Sequence, residues 1–210
     1  ARDDAQLAVL AARRAPRVEA VARGARGGVE DHQGAADARL PADELPRGAR
    51  PRVVRAARLE VGEALHHAHE AGVIHRDLKP QNIMTGGFGE VLVLDWGLAV
   101  LTDAGKDVKA SAGGTPSYMA PEMINPPFLV GPRSDVYLLG AILFRFLTGQ
   151  APHAGKSARA AMKSASQNEI VTPDAERIQD LDPTGKLLSV AMQAMATSPA
   201  DRYQTVGEFR

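Results

Sequence analysis

The first 58 residues contain no Lys, Ser, Thr, Asn, Ile, Met or aromatic residue, yet they hold 12 of the 19 arginines in the chain. A segment with only scattered Leu and Val among Ala, Arg, Gly and Pro has almost nothing bulky to bury, so it cannot build a core. The restriction extends further. Every residue from Ala1 to Val73 is Ala, Gly, Val, Asp, Glu, Pro, Leu, Arg, His or Gln, all encodable by codons that begin with G or C. From Ile74 onward about one residue in three falls outside that set. Such a boundary is what an out-of-frame or misjoined translation of a GC-rich gene leaves behind. This is the preferred reading of residues 1–58, because low-complexity arms ordinarily contain Ser, Thr or Lys. The alternative is a genuine Ala/Arg/Pro-rich disordered arm. Either way residues 1–58 are expected to add no fold, which leaves 59–210 as the folding unit.

That remainder has the means to fold. Apolar residues make up 44% of the 210, enough for one ordinary core. Basic and acidic residues both total 25, a balance that gives no footing for a nucleic-acid or membrane partner. The absence of cysteine excludes disulfides and thiolate metal sites. The strongest apolar run, Val136 to Leu147, is interrupted by Arg145 and is too short to cross a bilayer. Together with a start lacking an apolar signal core, this points to a soluble, cytoplasmic chain.

Leu59, Val61, Ala64, Leu65 and Ala68 recur at helical spacing, with Ala71-Gly72 as a stop. A polar loop begins at His75. Val91-Leu92-Val93-Leu94 reads as a buried strand that follows a Gly86-Gly87-Phe88-Gly89 turn. Residues 99–133 lack periodicity and read as one long loop, a length that in compact domains usually signals function. Ser134–Leu147 predicts a helix buried nearly all round, and further helices are predicted near 158–167, 185–195 and from 205 onward.

Transfer of a phosphoryl group needs little covalent help. It needs oxygen ligands for a divalent cation, a cation on the moving phosphate and a carboxylate beside the attacking hydroxyl. Three motifs supply these in order: His75-Arg76-Asp77-Leu78-Lys79-Pro80-Gln81-Asn82, then Asp95-Trp96-Gly97, then Ala120-Pro121-Glu122. A lone His-Arg-Asp would mean little, and single loop carboxylates such as Asp77 or Asp95 usually cap or solvate. Three motifs in sequence, with a strand before the second and a long loop after it, outweigh that bland reading.

Over about Leu59 to Arg210 the chain resembles the protein kinase family, most closely the bacterial Ser/Thr kinases. The resemblance implies an α+β, predominantly α fold: a kinase-like C-terminal lobe with short strands near the catalytic loop, clipped in its last helix. It implies ATP and Mg²⁺ as cofactors and protein Ser/Thr hydroxyls as substrates. Asp77 would orient or accept the hydroxyl proton, Lys79 would neutralise the γ-phosphate, and Asn82 and Asp95 would bind Mg²⁺. Lys79-Pro80 and Gly114-Thr115-Pro116-Ser117-Tyr118 resemble the Ser/Thr-specific form, in which the Thr touches the catalytic Asp and Lys. Asp135 would hold the backbone of the catalytic loop, and Glu122 and Arg202 would form a buried ion pair. Arg76 implies regulation by a phosphate on the activation loop, with Ser111 the candidate acceptor, Thr115 structural, and a dimer as the setting for autophosphorylation. Trp96 stands where the family has Phe, a larger aromatic that still serves for packing.

The small N-terminal lobe of the family has no counterpart in residues 1–58, where no Lys precedes Lys79. Hence an inactive kinase fragment or pseudokinase docking module is the alternative. A kinase-like small-molecule phosphotransferase is disfavoured by Ala120-Pro121-Glu122. Three sharper readings are declined. Gly86–Gly89 is a turn rather than a phosphate-covering loop, since it follows the catalytic loop. His66, His67 and His69 lack a complete ligand set for a metal. His153, in a Pro-rich turn, is expected at the surface.

Overall fold

A computed structural model describes residues 38–39, 57–85, 91–103 and 106–210. Most of the low-complexity segment, and the Gly86–Gly89 turn, lie outside the described residues. Ala38–Arg39 (β1) is described as a two-residue strand.

The architecture is built around one helix. The described helices are α1 (Gly62–Glu70, entered through a π turn at Ala57–Val61), α2 (Pro132–Thr148), α3 (Ala158–Ser166), α4 (Ala175–Leu181), α5 (Lys186–Ala194) and α6 (Val206–Phe209). From Val136 to Leu147 the sequence of α2 is apolar except for Arg145, and 14 of its 17 residues are buried. It therefore sits at the centre with the other elements around it. Pro132 opens its first turn, and Ser134 Oγ takes the Gly131 N–H at 3.2 Å, so the start is satisfied locally. Helix α5 lies so close that a Cβ on Gly140 would stand 2.7 Å from the Ala194 Cβ. Any side chain there would drive the two helices apart. Tyr137, Phe144, Leu65, Leu78, Met119 and Met195 are fully buried around this axis. Each contributes about 1.5–3 kcal/mol relative to exposure.

Short local signals place the outer helices. Ser157 caps α3 by accepting from Ala160 N–H at 3.2 Å, and Asp174 caps α4 by accepting from Glu176 N–H at 3.0 Å. Thr205 and Glu208 form a reciprocal cap on α6: Thr205 Oγ1 accepts from Glu208 N–H at 3.2 Å, and Glu208 Oε2 accepts from Gln204 N–H at 2.8 Å. Helix α4 was not legible from periodicity, since Ile178 is its one buried residue. The Pro173-Asp174 start and Glu176 in the first turn were the available signal.

Six further strands are short and antiparallel. They are β2 (Val73–Ile74), β3 (Ile83–Thr85), β4 (Val91–Val93), β5 (Val100–Leu101), β6 (Val108–Lys109) and β7 (Leu129–Val130). Strand β3 lies between β1 and β4, with Ile83 opposite Val93 and Thr85 opposite Val91. Strand β2 pairs with β5, and β6 with β7. The expectation of an element-free loop over 99–133 is thereby corrected. Three two-residue strands lie inside it, too short for an alternating pattern to register. Among the described residues, no helix is long and apolar enough to cross a membrane.

Candidate active site

The loop between β2 and β3 is fixed from below. Asp135, in the first turn of α2, is 0% exposed and its carboxylate accepts three hydrogen bonds. His75 N–H and His69 Nε2–H both reach Oδ2 at 2.8 Å, and Arg76 N–H reaches Oδ1 at 2.9 Å. Burial alone would push this carboxyl up. The hydrogen bond and charge of His69, with His75 and the Arg76 amide, outweigh it and hold the group below the usual carboxylate range.

His75 continues the chain of contacts. Its Nε2–H donates to Leu94 O at 3.0 Å, and its Nδ1 accepts from Asp77 N–H at 3.2 Å. Burial holds the imidazole below its ordinary value against the pull of Asp135, the Leu94 carbonyl, Asp77 and Asp95. The neutral tautomer is the one both bonds require. The Trp96 ring lies with its centroid 4.5 Å from this ring's, tilted by 56°, and donates Nε1–H to Val93 O at 3.0 Å. One imidazole thus touches both motifs. Arg76 (φ 72°) and Asp95 (φ 58°) are both left-handed non-glycine residues, a conformation that surrounding contacts must impose.

Above this base lies a closed triangle. Thr115 Oγ1 donates to Asp77 Oδ1 at 2.7 Å, Lys79 Nζ donates to Asp77 Oδ2 at 2.8 Å, and Lys79 Nζ also donates to Thr115 Oγ1 at 2.9 Å. Asn82 Nδ2 donates to Asp77 O at 2.8 Å and to Asp77 Oδ2 at 3.3 Å. With its nitrogen committed, the amide keeps Oδ1 as an acceptor that takes no hydrogen bond from a described residue. Leu94 N–H donates to Asn82 O at 2.8 Å, extending the β3–β4 ladder by one step, and the exposed Asp95 is the next residue in the chain. These are hard oxygen donors, which suits Mg²⁺. Among the described residues no three His, Cys, Asp or Glu side chains gather into a metal cage, so a cation here would complete its shell with water or phosphate oxygens.

The remaining candidates fall in two places. Arg76 is 3% exposed; its Nη1–H donates to Leu98 O at 3.2 Å and its Nη2–H to Ser111 O, while Nε has no partner among the described residues. Ser111 itself is exposed. Farther back, Arg202 grips Glu122 with both arms, at 2.7 Å and 2.8 Å. Its other protons go to the carbonyls of Ala196, Arg133 and Thr197, and its guanidinium lies 4.8 Å over the Tyr137 ring. Ser134 Oγ–H adds a bond to Glu122 Oε1 at 2.8 Å.

The expectation of a surface His153 is corrected. It is 1% exposed, with Tyr137 Oη 2.8 Å from Nε2 and Glu169 O 2.9 Å from Nδ1. A polar ring can be buried where such partners meet it. The partners are 16 residues away in the sequence, which is why the turn alone did not reveal them. The His69–Asp135 bond was missed for the same reason, at a separation of 66 residues. His66 and His67 face the carboxylates of Glu70 and Glu63 on their own helix.

The chain is also similar in sequence to known proteins. The family described as "Protein kinase domain" matches residues 44–204. A probable serine/threonine-protein kinase of Corynebacterium efficiens is 42% identical over 156 residues, 72% of this chain and 23% of the relative. The serine/threonine-protein kinase PknB of Mycolicibacterium smegmatis is 39% identical over 151 residues, covering 70% and 24%. PknD of Chlamydia trachomatis is 34% identical over 170 residues, covering 70% and 18%. The chain therefore belongs to the protein kinase family, in its bacterial serine/threonine type. It spans about a quarter of the length of the first of these curated relatives.

Proposed function

We propose that residues 59–210 form the C-terminal lobe of a Ser/Thr protein kinase that moves the γ-phosphate of ATP to a protein hydroxyl. The observation that carries this reading is the triangle of Asp77, Lys79 and Thr115. It sets a carboxylate and an ammonium side by side at the mouth of the loop. Asp77 Oδ1, now occupied by a hydroxyl from Thr115 at 2.7 Å, is an acceptor suited to the hydroxyl of a substrate Ser or Thr. Lys79, with 22% of its side chain exposed, can swing its ammonium toward a transferred phosphate while remaining near Asp77. Asn82 and Asp95 would hold Mg²⁺, which when bound neutralises charge on the phosphates of ATP. The test is transfer of labelled phosphate from Mg-ATP to a Ser-containing protein substrate. Asp77→Asn is expected to abolish it, and full activity in that variant would refute the role.

A second reading stands beside it, because no lysine precedes Lys79 to take the ATP contact expected of the small lobe. In that case this polypeptide is a substrate-binding lobe without transfer activity. Calorimetry with Mg-ATP bears on this reading: no binding by the folded 210-residue chain is expected from it, and micromolar binding would overturn the expectation that this polypeptide lacks a nucleotide site.

Arg76 and Ser111 fit a regulated kinase. An exposed Ser111 whose carbonyl already meets the Arg76 guanidinium is the expected autophosphorylation site, with a second copy of the chain as the enzyme. Thr115 is held by Asp77 and Lys79 and is expected to remain unmodified. Phosphopeptide mapping that found phosphate only at other residues would dispose of this assignment.

A further inference from the structure

Residues 108–110 run antiparallel to residues 128–130. Val108 stands opposite Val130 and Lys109 opposite Leu129, and Ala110 N–H donates to Phe128 O at 3.1 Å. Just ahead of this ladder, Asp107 Oδ2 accepts from Arg133 Nη2–H at 2.8 Å. Arg133 lies in the first turn of α2. Its Nη1 approaches Gln204 Oε1 at 3.4 Å, and its carbonyl accepts from Arg202 Nη1–H at 3.0 Å. The base of the contact is therefore tied to the buried Glu122–Arg202 pair. Between the two partners sits Gly131, where a Cβ would stand 2.0 Å from Asp107 Oδ1 and 3.4 Å from Asp107 Cα. A Cβ here would push the Asp107 carboxylate off this position.

Each device alone is weak. A two-stranded ladder is marginal in water, and both ion-pair side chains are 30% exposed, which limits such a pair to less than about a tenfold effect on an equilibrium. They act on the same short stretch, however, and the loop is also gripped further along by Arg76 at the Leu98 and Ser111 carbonyls. All of these attachments use the chain's own groups. We propose that Asp107, Gly131 and Arg133 form a clasp that positions the activation loop without a phosphate on Ser111. Phosphate on Ser111 would then adjust a loop already docked rather than order a free one. This rests on the reading of residues 95–122 as an activation loop, but its test needs neither ATP nor transfer.

Asp107, Gly131 and Arg133 are positioning residues, and the test is amide hydrogen exchange at Ala110 in the unphosphorylated 210-residue chain. The His75 amide, held by Asp135, reports the rest of the fold. Gly131→Ala is expected to speed exchange at Ala110 about tenfold with both charges still present, and Asp107→Arg about fivefold, with His75 unchanged. Combining Asp107→Arg with Arg133→Asp restores an ion pair of opposite sense and should return Ala110 to within about twofold of the parent. The proposal is overturned if Ala110 exchanges equally fast in the parent and the single variants, or if the exchanged pair gives no rescue. A parallel acceleration at His75 would overturn it too, since the contact would then be a general prop of the fold.

Discussion

Asp135 and Asp77 are both buried carboxylates, and each accepts three side-chain or backbone donors, but the donors differ in kind. Two of the three on Asp135 are backbone N–H groups of the loop between β2 and β3, and the third is a histidine 9% exposed. Those on Asp77 are a hydroxyl, an ammonium and an amide, all on side chains. Backbone donors cannot leave without moving the chain. Side-chain donors can rotate away and be replaced by an incoming hydroxyl while the backbone stays in place. The same residue type thus serves as a fixture in one position and as an exchangeable contact in the other, and the partners decide which.

The sharpest way to break this contrast is to remove the fixture. Asp135→Ala would leave three buried donors without an acceptor, each worth about 1–3 kcal/mol, so a loss of roughly 3–9 kcal/mol is expected. A melting temperature near the parent's would mean that water or another group replaces the carboxylate. Arg202→Ala tests the neighbouring anchor. Its side chain is fully buried and that of Glu122 is 14% exposed, so about 3–5 kcal/mol should be lost by leaving the carboxylate uncompensated. Denaturant titration with an unchanged midpoint would contradict that.

Acidification sharpens the contrast in a different way. Burial holds His75 and His153 below their ordinary value of 6.5 in the folded chain. The unfolded chain therefore takes up protons first as the pH falls. Their contribution to stability is complete above about pH 6.5 and is lost as the pH drops toward the folded values. Asp135, held low, adds a similar loss only below the ordinary 3.8. Melting should be level above pH 7 and decline below 6.5; stability that rises on acidification would show that the imidazoles are charged in the fold. The smallest effect is expected at the exchangeable carboxylate. Asp77→Asn keeps the shape and one oxygen for the Thr115 hydroxyl, and the part-exposed Lys79 ammonium can turn to water, so it should alter stability by less than about 1 kcal/mol while eliminating transfer. A collapse of the fold would make Asp77 a fixture too.

Much of this was legible in the sequence because it is local or because it lies in ordered motifs. Helix α2 declares itself by its apolar run from Val136 to Leu147, and α6 by Thr205 and Glu208. The spacing of Asp77, Lys79 and Asn82 already set three polar side chains on one short loop. What remained hidden depends on pairs distant in the chain. His69 looks like any helical histidine until Asp135 is brought beneath it, and His153 looks exposed until Tyr137 closes over it. Tyr137 shows the cost of that closure: burial, with Glu122 adding and Arg202 opposing, pushes its hydroxyl well above the usual tyrosine range. The β6–β7 ladder is two residues long, below the length at which alternation can be read. Asp107 and Arg133 are ordinary surface residues until Gly131 lets them approach.

The bonds from the His75 and Arg76 amides to a carboxylate with no exposed surface also set a clock. An amide so held cannot meet water through the breathing of a loop; it must wait for α2 itself to come apart. Isotope retained at these two positions should therefore decay at the pace of global unfolding, although they sit two residues and one residue from the Asp77 carboxylate, whose partners are all on side chains.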